Sequence, residues 1–239
     1  MKEKSLFTID KKANMKVPIN LFVNKKLMPD KLTISKLVDM ASVDGLYKQV
    51  VALPDVHYKF NTSFKYSIPT GTAVALKDKI VPKFINPDCG MSFITTDLTV
   101  NDLNDERIDS FFNSLKEKDS VGMRKKPTIT EDDLNKLIIN GSKWAFEEYG
   151  FKKKDIINVE SSDLNNNLNY IKSILPKQSL EVGKFSLGVL GTGNHFIELQ
   201  KVDEILDKKT ADKFNLKKGQ IVFMIHCGSM FFGDVIHDY

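Results

Sequence analysis

The chain has 239 residues, 41% of them hydrophobic, enough to bury a sizeable core in a single domain over residues 1–239. Its 35 basic and 31 acidic residues leave a net charge of +4, a mildly basic balance that suits a phosphate-rich partner without requiring one. The first fifteen residues are lysine-rich and polar rather than apolar like a secretory signal, and no run approaches the ~18 apolar residues of a membrane span, so the expectation is a cytoplasmic protein with no membrane partner.

Residues 1–14 read as a loose arm or a first edge element, and 17–23 alternate well enough for a strand. Asp30-Lys31-Leu32-Thr33 offers capping residues before 34–43, where Leu37, Met40 and Ala41 fall at helical spacing, and Asp44-Gly45 closes that helix. A short buried strand over 49–53 then delivers Pro54-Asp55-Val56-His57, with the proline stopping the ladder. Asp55 and His57 point to one side if the chain stays extended, and a loop salt pair is the plain alternative for them. Residues 61–67 read as a loop, 71–76 as a strand, and 79–85 lead to Asn86-Pro87-Asp88-Cys89-Gly90 before a strand over 91–96. A thiolate at Cys89 is a good ligand for a borderline divalent ion, and the glycine after it leaves room for approach; ordinary packing is the other fate of such a cysteine.

From 101 onward the pattern turns helical. Residues 105–118 place Ile108, Phe111, Phe112 and Leu115 on one face, and Thr130-Glu131-Asp132-Asp133 forms a capping box for a helix that runs through Trp144 and Phe146 to Gly150. Arg124-Lys125-Lys126 and Lys152-Lys153-Lys154 are basic runs, read as solvated faces with a nucleic-acid backbone as the sharper alternative. A further helix over 163–175 ends at Pro176, and 180–190 return to strand. The next stretch, Gly188-Val189-Leu190-Gly191-Thr192-Gly193-Asn194-His195, strips side chains from the backbone just before a polar pair, so a phosphate, a base or a metal can come close to the main chain. A glycine-rich connection with one core histidine is its bland reading. A strand follows, with Glu198 three residues past the histidine. Residues 201–218 are a charged excursion, and Gly219-Gln220 begin the strand that ends at His226-Cys227-Gly228-Ser229.

Both cysteines, read as reduced thiols, and three of the four histidines thus sit at the ends of apolar runs beside Gly, Asp or Asn, the pattern of a metal site assembled from loops. No regular strand–helix–strand alternation runs through the chain, so the expected fold is α+β, with mixed or antiparallel sheets packed with outer helices.

Taken in order, Pro54-Asp55-Val56-His57, Cys89-Gly90, residues 188–198 and His226-Cys227-Gly228-Ser229 resemble the motifs of the RtcB-type RNA ligases over roughly residues 15–239. The most specific piece is Leu190-Gly191-Thr192-Gly193-Asn194-His195-Phe196-Ile197-Glu198. The resemblance implies one or two Mn2+ ions, with Cys89 as the bridging thiolate and His195 and His226 as one ligand on each metal. It implies that Asn194, His195, Phe196, Ile197 and Glu198 meet the guanylate of GTP, and that Asp55 and His57 line the site as catalytic residues. The reaction it implies joins an RNA 3′-phosphate or 2′,3′-cyclic phosphate end to a 5′-hydroxyl end through guanylylated intermediates, on tRNA-like or broken RNA, as in tRNA splicing and RNA repair. An archease-like activator is an implied partner.

The chain departs from the family pattern at several points. Asn86 stands where the family has an aspartate ligand, with Asp88 as the other candidate for that place; Met230 stands for an arginine; and Tyr58-Lys59-Phe60-Asn61-Thr62 replaces a glycine-rich segment. The family's guanylate-accepting histidine and a further metal-binding histidine lie in a C-terminal portion beyond the match, and His237 corresponds to neither. The expectation is therefore a domain truncated relative to the family that does not complete ligation alone and is completed by missing sequence or by a second polypeptide. The alternative is a non-catalytic metal- or RNA-end-binding module on the same scaffold.

Overall fold

The structure, a computed structural model, describes residues 6–58, 68–81, 84, 89–117, 129–150, 152, 156–157, 159, 165–191, 195–229 and 231–238. The chain forms two compact units, Met1–Asn86 and Pro87–Tyr239.

The first unit is a four-stranded sheet in the order β1-β2-β3-β4, formed by Phe7–Ile9, Ile19–Leu21, Leu46–His57 and Thr70–Leu76. β1 is the first edge element expected of the N-terminal residues and pairs antiparallel with β2; β2 and β3 are parallel, and β3 and β4 antiparallel. A parallel pair needs a crossover, and helix α1 (Lys31–Ala41) supplies it. Asp30 starts α1 by accepting a 2.7 Å hydrogen bond from the Thr33 amide. Its apolar face brings Leu37, Met40 and Ala41 onto Ile19, Leu21, Val50 and Ala52, and these residues form the core of the unit. Ile19, Leu37 and Val50 are fully buried, each stabilising the unit by roughly 1.5–3 kcal/mol through apolar burial.

The strand expected over 49–53 is longer at both ends. Pro54 does not end it, because the ladder loosens there instead. Ala52 pairs with Thr72 and His57 with Thr70, so three extra residues of β3 bulge out between those pairs and the proline needs no ladder bond.

The second unit carries a three-stranded antiparallel sheet in the order β5-β7-β6, with β5 Gly90–Thr99, β6 Phe196–Lys201 and β7 Gln220–Cys227. Mixed pairing in one sheet, antiparallel pairing in the other and helices beside both make the fold α+β, as expected. α2 (Asp105–Glu117) presents Ile108, Phe111, Phe112 and Leu115 as its less exposed face, and Phe111 packs on Phe223 of β7 with ring centroids 5.2 Å apart. The Thr130 capping box forms: Asp133 accepts from the Thr130 amide at 2.9 Å, and Thr130 Oγ1 accepts from the Asp133 amide at 3.1 Å.

Three local expectations are corrected. The helix expected from Thr130 to Gly150 is two helices, α3 (Glu131–Asn140) and α4 (Ser142–Glu148), because Gly141 adopts φ 60°, ψ −147°, outside the helical region. After α5 (Leu168–Ile174), residues 180–190 are not a strand; helix α6 (Lys177–Ser186) occupies most of that stretch. Ser179, Gly183 and Ser186, at helical spacing, are its buried residues, and Gly183 lets the Phe232 ring approach closely. Finally, beyond α7 (Lys208–Lys213) and β7 lies a helix that the sequence did not announce, α8 (Phe231–Asp238). Ser229, read above as part of a site motif, accepts from the Gly233 amide at 2.9 Å and so caps it.

Among the described residues no helix is long and apolar enough to cross a membrane.

Candidate functional site

Both outer strands of the second sheet run antiparallel to β7, so their first residues lie beside its last ones. Cys89 immediately precedes β5, His195 immediately precedes β6, and His226 is the penultimate residue of β7. The register pairs His226 with Met91 on one side and Phe196 on the other. Three segments remote in sequence are thereby gathered at one sheet end.

The side chains follow. Cys89 Sγ lies 3.4 Å from His195 Nε2. The His195 and His226 rings are 5.7 Å apart between centroids, and Phe196 stands edge-on to His226 at 5.4 Å. His226 is only 5% exposed, so the site is built into the sheet rather than laid over it. His195 Nδ1 is buried with no hydrogen-bond partner among the described residues, which leaves a dry imidazole nitrogen to be satisfied. Of the other residues expected at this site, Ile197 is half-buried in β6, and the exposed Glu198 accepts a 2.6 Å hydrogen bond from Gln200 Nε2. Asn86, Asp88 and Asn194 lie outside the described residues, as do Arg124 to Lys126 and Lys153-Lys154. No disulfide joins Cys89 to Cys227. His237 is carried by the backbone of α8.

Asp55 and His57 are described within the first unit. They do not form the loop salt pair: His57 Nδ1 lies 2.6 Å from the main-chain oxygen of Asp55. A carbonyl can only accept, so Nδ1 carries the proton and, in the neutral ring, Nε2 holds the lone pair. The Tyr58 amide donates to Thr33 Oγ1 at 3.1 Å, which ties the end of β3 to α1. A residue passed over in the sequence supports this segment: Gly71, at φ +74°, sits so near Asp55 that an added Cβ would fall 2.6 Å from Asp55 Oδ1. Its only signal in the sequence was a glycine opening a strand, the mark of a bulge or of a close backbone approach.

The fit of a metal ion rests on the facing pair. Two donors at ~2.3 Å (sulfur) and ~2.1 Å (nitrogen) from one ion, at an angle between 90° and 110°, lie roughly 3.1–3.6 Å apart. The Cys89–His195 separation falls in that range. Among the described residues no group of three or more His, Cys, Asp and Glu side chains is set to hold an ion, so the fit is that of a donor pair with His226 beside it.

A family model described as tRNA-splicing ligase RtcB matches residues 36–239. The chain belongs to the RtcB family. RtcB relatives include the tRNA-splicing ligase RtcB of Archaeoglobus fulgidus, 28% identical over 91% of this chain and 45% of its own length, and that of Methanococcus maripaludis, 30% identical over 93% and 46%. The RtcB of Nanoarchaeum equitans is 28% identical over 99% of this chain and 50% of its own. The chain thus spans about half the length of the curated RtcB proteins it matches.

Proposed function

We propose that this chain is the metal-holding part of an RNA ligase that joins an RNA 3′-phosphate or 2′,3′-cyclic phosphate end to a 5′-hydroxyl end with GTP as the activating nucleotide. The observation that carries the reading is the Cys89–His195 contact at 3.4 Å inside a chain that belongs to the RtcB family. Cys89 and His195 would hold a manganese ion, with His226 as the next donor; a thiolate and two imidazoles suit a borderline divalent ion better than magnesium. When bound, the ion supplies charge neutralisation for phosphate oxygens. The chain's own groups do the rest. Phe196, edge-on to His226, limits how that ring can turn. Residues from Asn194 to Glu198 would receive the guanylate. Within the first unit, the protonated Nδ1 of His57 fixes the ring on the Asp55 carbonyl and leaves Nε2 to accept a proton, the task of a general base.

The test is binding of labelled RNA oligonucleotides that differ only in ending with a 3′-phosphate or a 3′-hydroxyl. With manganese present, the 3′-phosphate strand is expected to bind about tenfold (~1.4 kcal/mol) more tightly. Equal affinity for the two ends, or a preference that persists in chelator, overturns the reading. Addition of GTP, a 5′-hydroxyl strand and the complementary C-terminal portion of an RtcB relative then separates part of a ligase, which forms a joined product, from a module that only binds RNA ends.

A further inference from the structure

α1 covers one face of the first sheet. On β2 and β3 that face carries Ile19, Leu21, Val50, Ala52 and Val56, all in the buried core. Strand alternation turns their neighbours Asn20, Phe22, Gln49, Leu53, Asp55 and His57 to the other face. The side chains agree: Thr8 Oγ1 donates to Asn20 Oδ1 at 2.9 Å, and Asn20 Nδ2 donates to Gln49 Oε1 at 2.6 Å.

Past that polar ladder the face is apolar and open to solvent. The Phe22 amide donates to the Ala52 carbonyl at 2.8 Å, which keeps Phe22 beside Leu53, and the two are 40% and 41% exposed. A phenyl ring on a hydrogen-bonded backbone, beside a leucine, is a surface on which a planar group can stack. Lys25 and Lys26 follow in a short 3-10 turn, which Asn24 fixes by accepting from the Lys26 and Leu27 amides at 2.9 and 3.0 Å. Both lysines are exposed, and among the described residues neither has a carboxylate within ion-pair distance. In the other direction β3 leads to His57, four residues past Leu53 and so at most ~13 Å away along an extended strand.

We propose that this face seats the RNA strand that ends in the 5′-hydroxyl, with one base stacked on Phe22 beside Leu53 and the phosphates around it on Lys25 and Lys26. The strand's direction follows from the chemistry. When a 5′-hydroxyl attacks a phosphate it is the hydroxyl that loses a proton, and the acceptor on this face is His57 Nε2. The 5′ end therefore lies at His57, and the bases run back toward Phe22. Stacking on aromatic rings, with lysines along the backbone, is how single strands are held without sequence preference. The inference rests on the reading of the chain as part of an RNA ligase and deepens it by naming the strand that the first unit takes.

The test is anisotropy of a short single-stranded RNA with a 5′-hydroxyl and its label at the 3′ end, measured in chelator so that metal-dependent capture of 3′-phosphate ends plays no part. Phe22→Leu keeps an apolar side chain without the ring and is expected to weaken binding about tenfold, whereas Phe22→Tyr binds as the wild type does. Lys25→Gln combined with Lys26→Gln is expected to lower the salt slope by roughly 1.4, the share of two phosphates. An abasic nucleotide within about four positions of the 5′ end, the reach of ~13 Å at ~3.4 Å per stacked nucleotide, is expected to mimic Phe22→Leu and to add nothing to it. Equal affinity in Phe22→Leu and the wild type overturns the inference, as does an unchanged salt slope in the double lysine variant. Equal losses in Phe22→Leu and Phe22→Tyr would assign the ring to packing and overturn it too. So would an abasic effect confined to the 3′ end, or binding of phosphatidylserine vesicles in place of RNA. A manganese-dependent preference for 3′-phosphate ends would survive each of those outcomes, so failure here is distinguishable from failure of the ligase reading.

Discussion

The thiol of Cys89 faces Nε2 of His195 at 3.4 Å although the two residues are 106 positions apart in the chain. Nothing local brings them together; the antiparallel pairing of β5 and β6 with β7 does. If the contact is a ligand pair, Cys89→Ser is expected to weaken manganese binding by at least about tenfold in calorimetry, and His195→Ala by a similar factor. Cys227 leaves β7 on the face opposite His226, by strand alternation, so Cys227→Ser is the matched control and is expected to bind as the wild type does. Equal binding in all three variants would assign Cys89 to packing.

Gly71 carries both a left-handed backbone and a close approach to Asp55. Gly71→Ala is expected to lower the unfolding free energy by about 1–3 kcal/mol and to shift the Asp55 and Val56 amide resonances. Gly188 has a similar φ, +79°, but nothing within 4 Å of an added Cβ. Gly188→Ala therefore reports the backbone cost alone, and a larger loss in Gly71→Ala measures the crowding at Asp55. Identical losses would remove Gly71 from the support of that segment.

At Gly183 two effects oppose one another. Alanine is the better helix former by about 1 kcal/mol, but its Cβ would fall 2.9 Å from the Phe232 ring. Overpacking of that kind costs typically 1–3 kcal/mol, so Gly183→Ala is expected to destabilise by roughly 1 kcal/mol in denaturant unfolding, and Phe232→Leu in the same chain is expected to recover part of it. Stabilisation by Gly183→Ala alone would show that α8 does not dock there.

Acid should loosen the helix starts. The Thr33 amide holds the Asp30 carboxyl below its ordinary value, the Thr99 amide does so for Asp102, the Thr130 hydroxyl for Asp133 and the Thr210 amide for Asp207. A carboxyl with a lower pKa folded than unfolded adds stability above its unfolded value, ~3.9, and that contribution is lost as the pH falls through the folded value. Helical signal is expected to hold from pH 7 to about pH 4 and to fall below it. Asp30→Asn keeps a capping oxygen without a titrating group, and it should reduce the acid-dependent part of that fall.

Legibility in the sequence followed the range of the interaction. α1 and α2 were readable because their caps and apolar faces lie within a few residues of one another, as in Asp30 with Thr33, or Ile108 with Phe111 and Leu115. β5 and β7 were readable from apolar runs. The 180–190 stretch misled because Leu180 and Val182 mimic alternation, whereas the buried face of the helix is made of the small residues Ser179, Gly183 and Ser186, and Phe232, which closes on Gly183, lies some fifty residues away. The site motifs were visible as histidines and cysteines at the ends of runs, yet which of them touch depends on strand order. Sequence spacing carries no register between β5, β6 and β7. Gly71 escaped for the same reason, since its partner Asp55 lies across a bulge.

The order β5-β7-β6 also sets a timetable. Among the described strands β5 pairs only with β7, so Gly90 is synthesised 137 residues (227 − 90) before its partner Cys227 exists. At about 5–20 residues per second, that is a delay on the order of ten seconds. Throughout it a ten-residue ribbon carrying Met91, Phe93 and Ile94 waits without its neighbour. A nascent chain in that condition carries an unpaired strand edge, and slower synthesis of the intervening helices would lengthen its exposure.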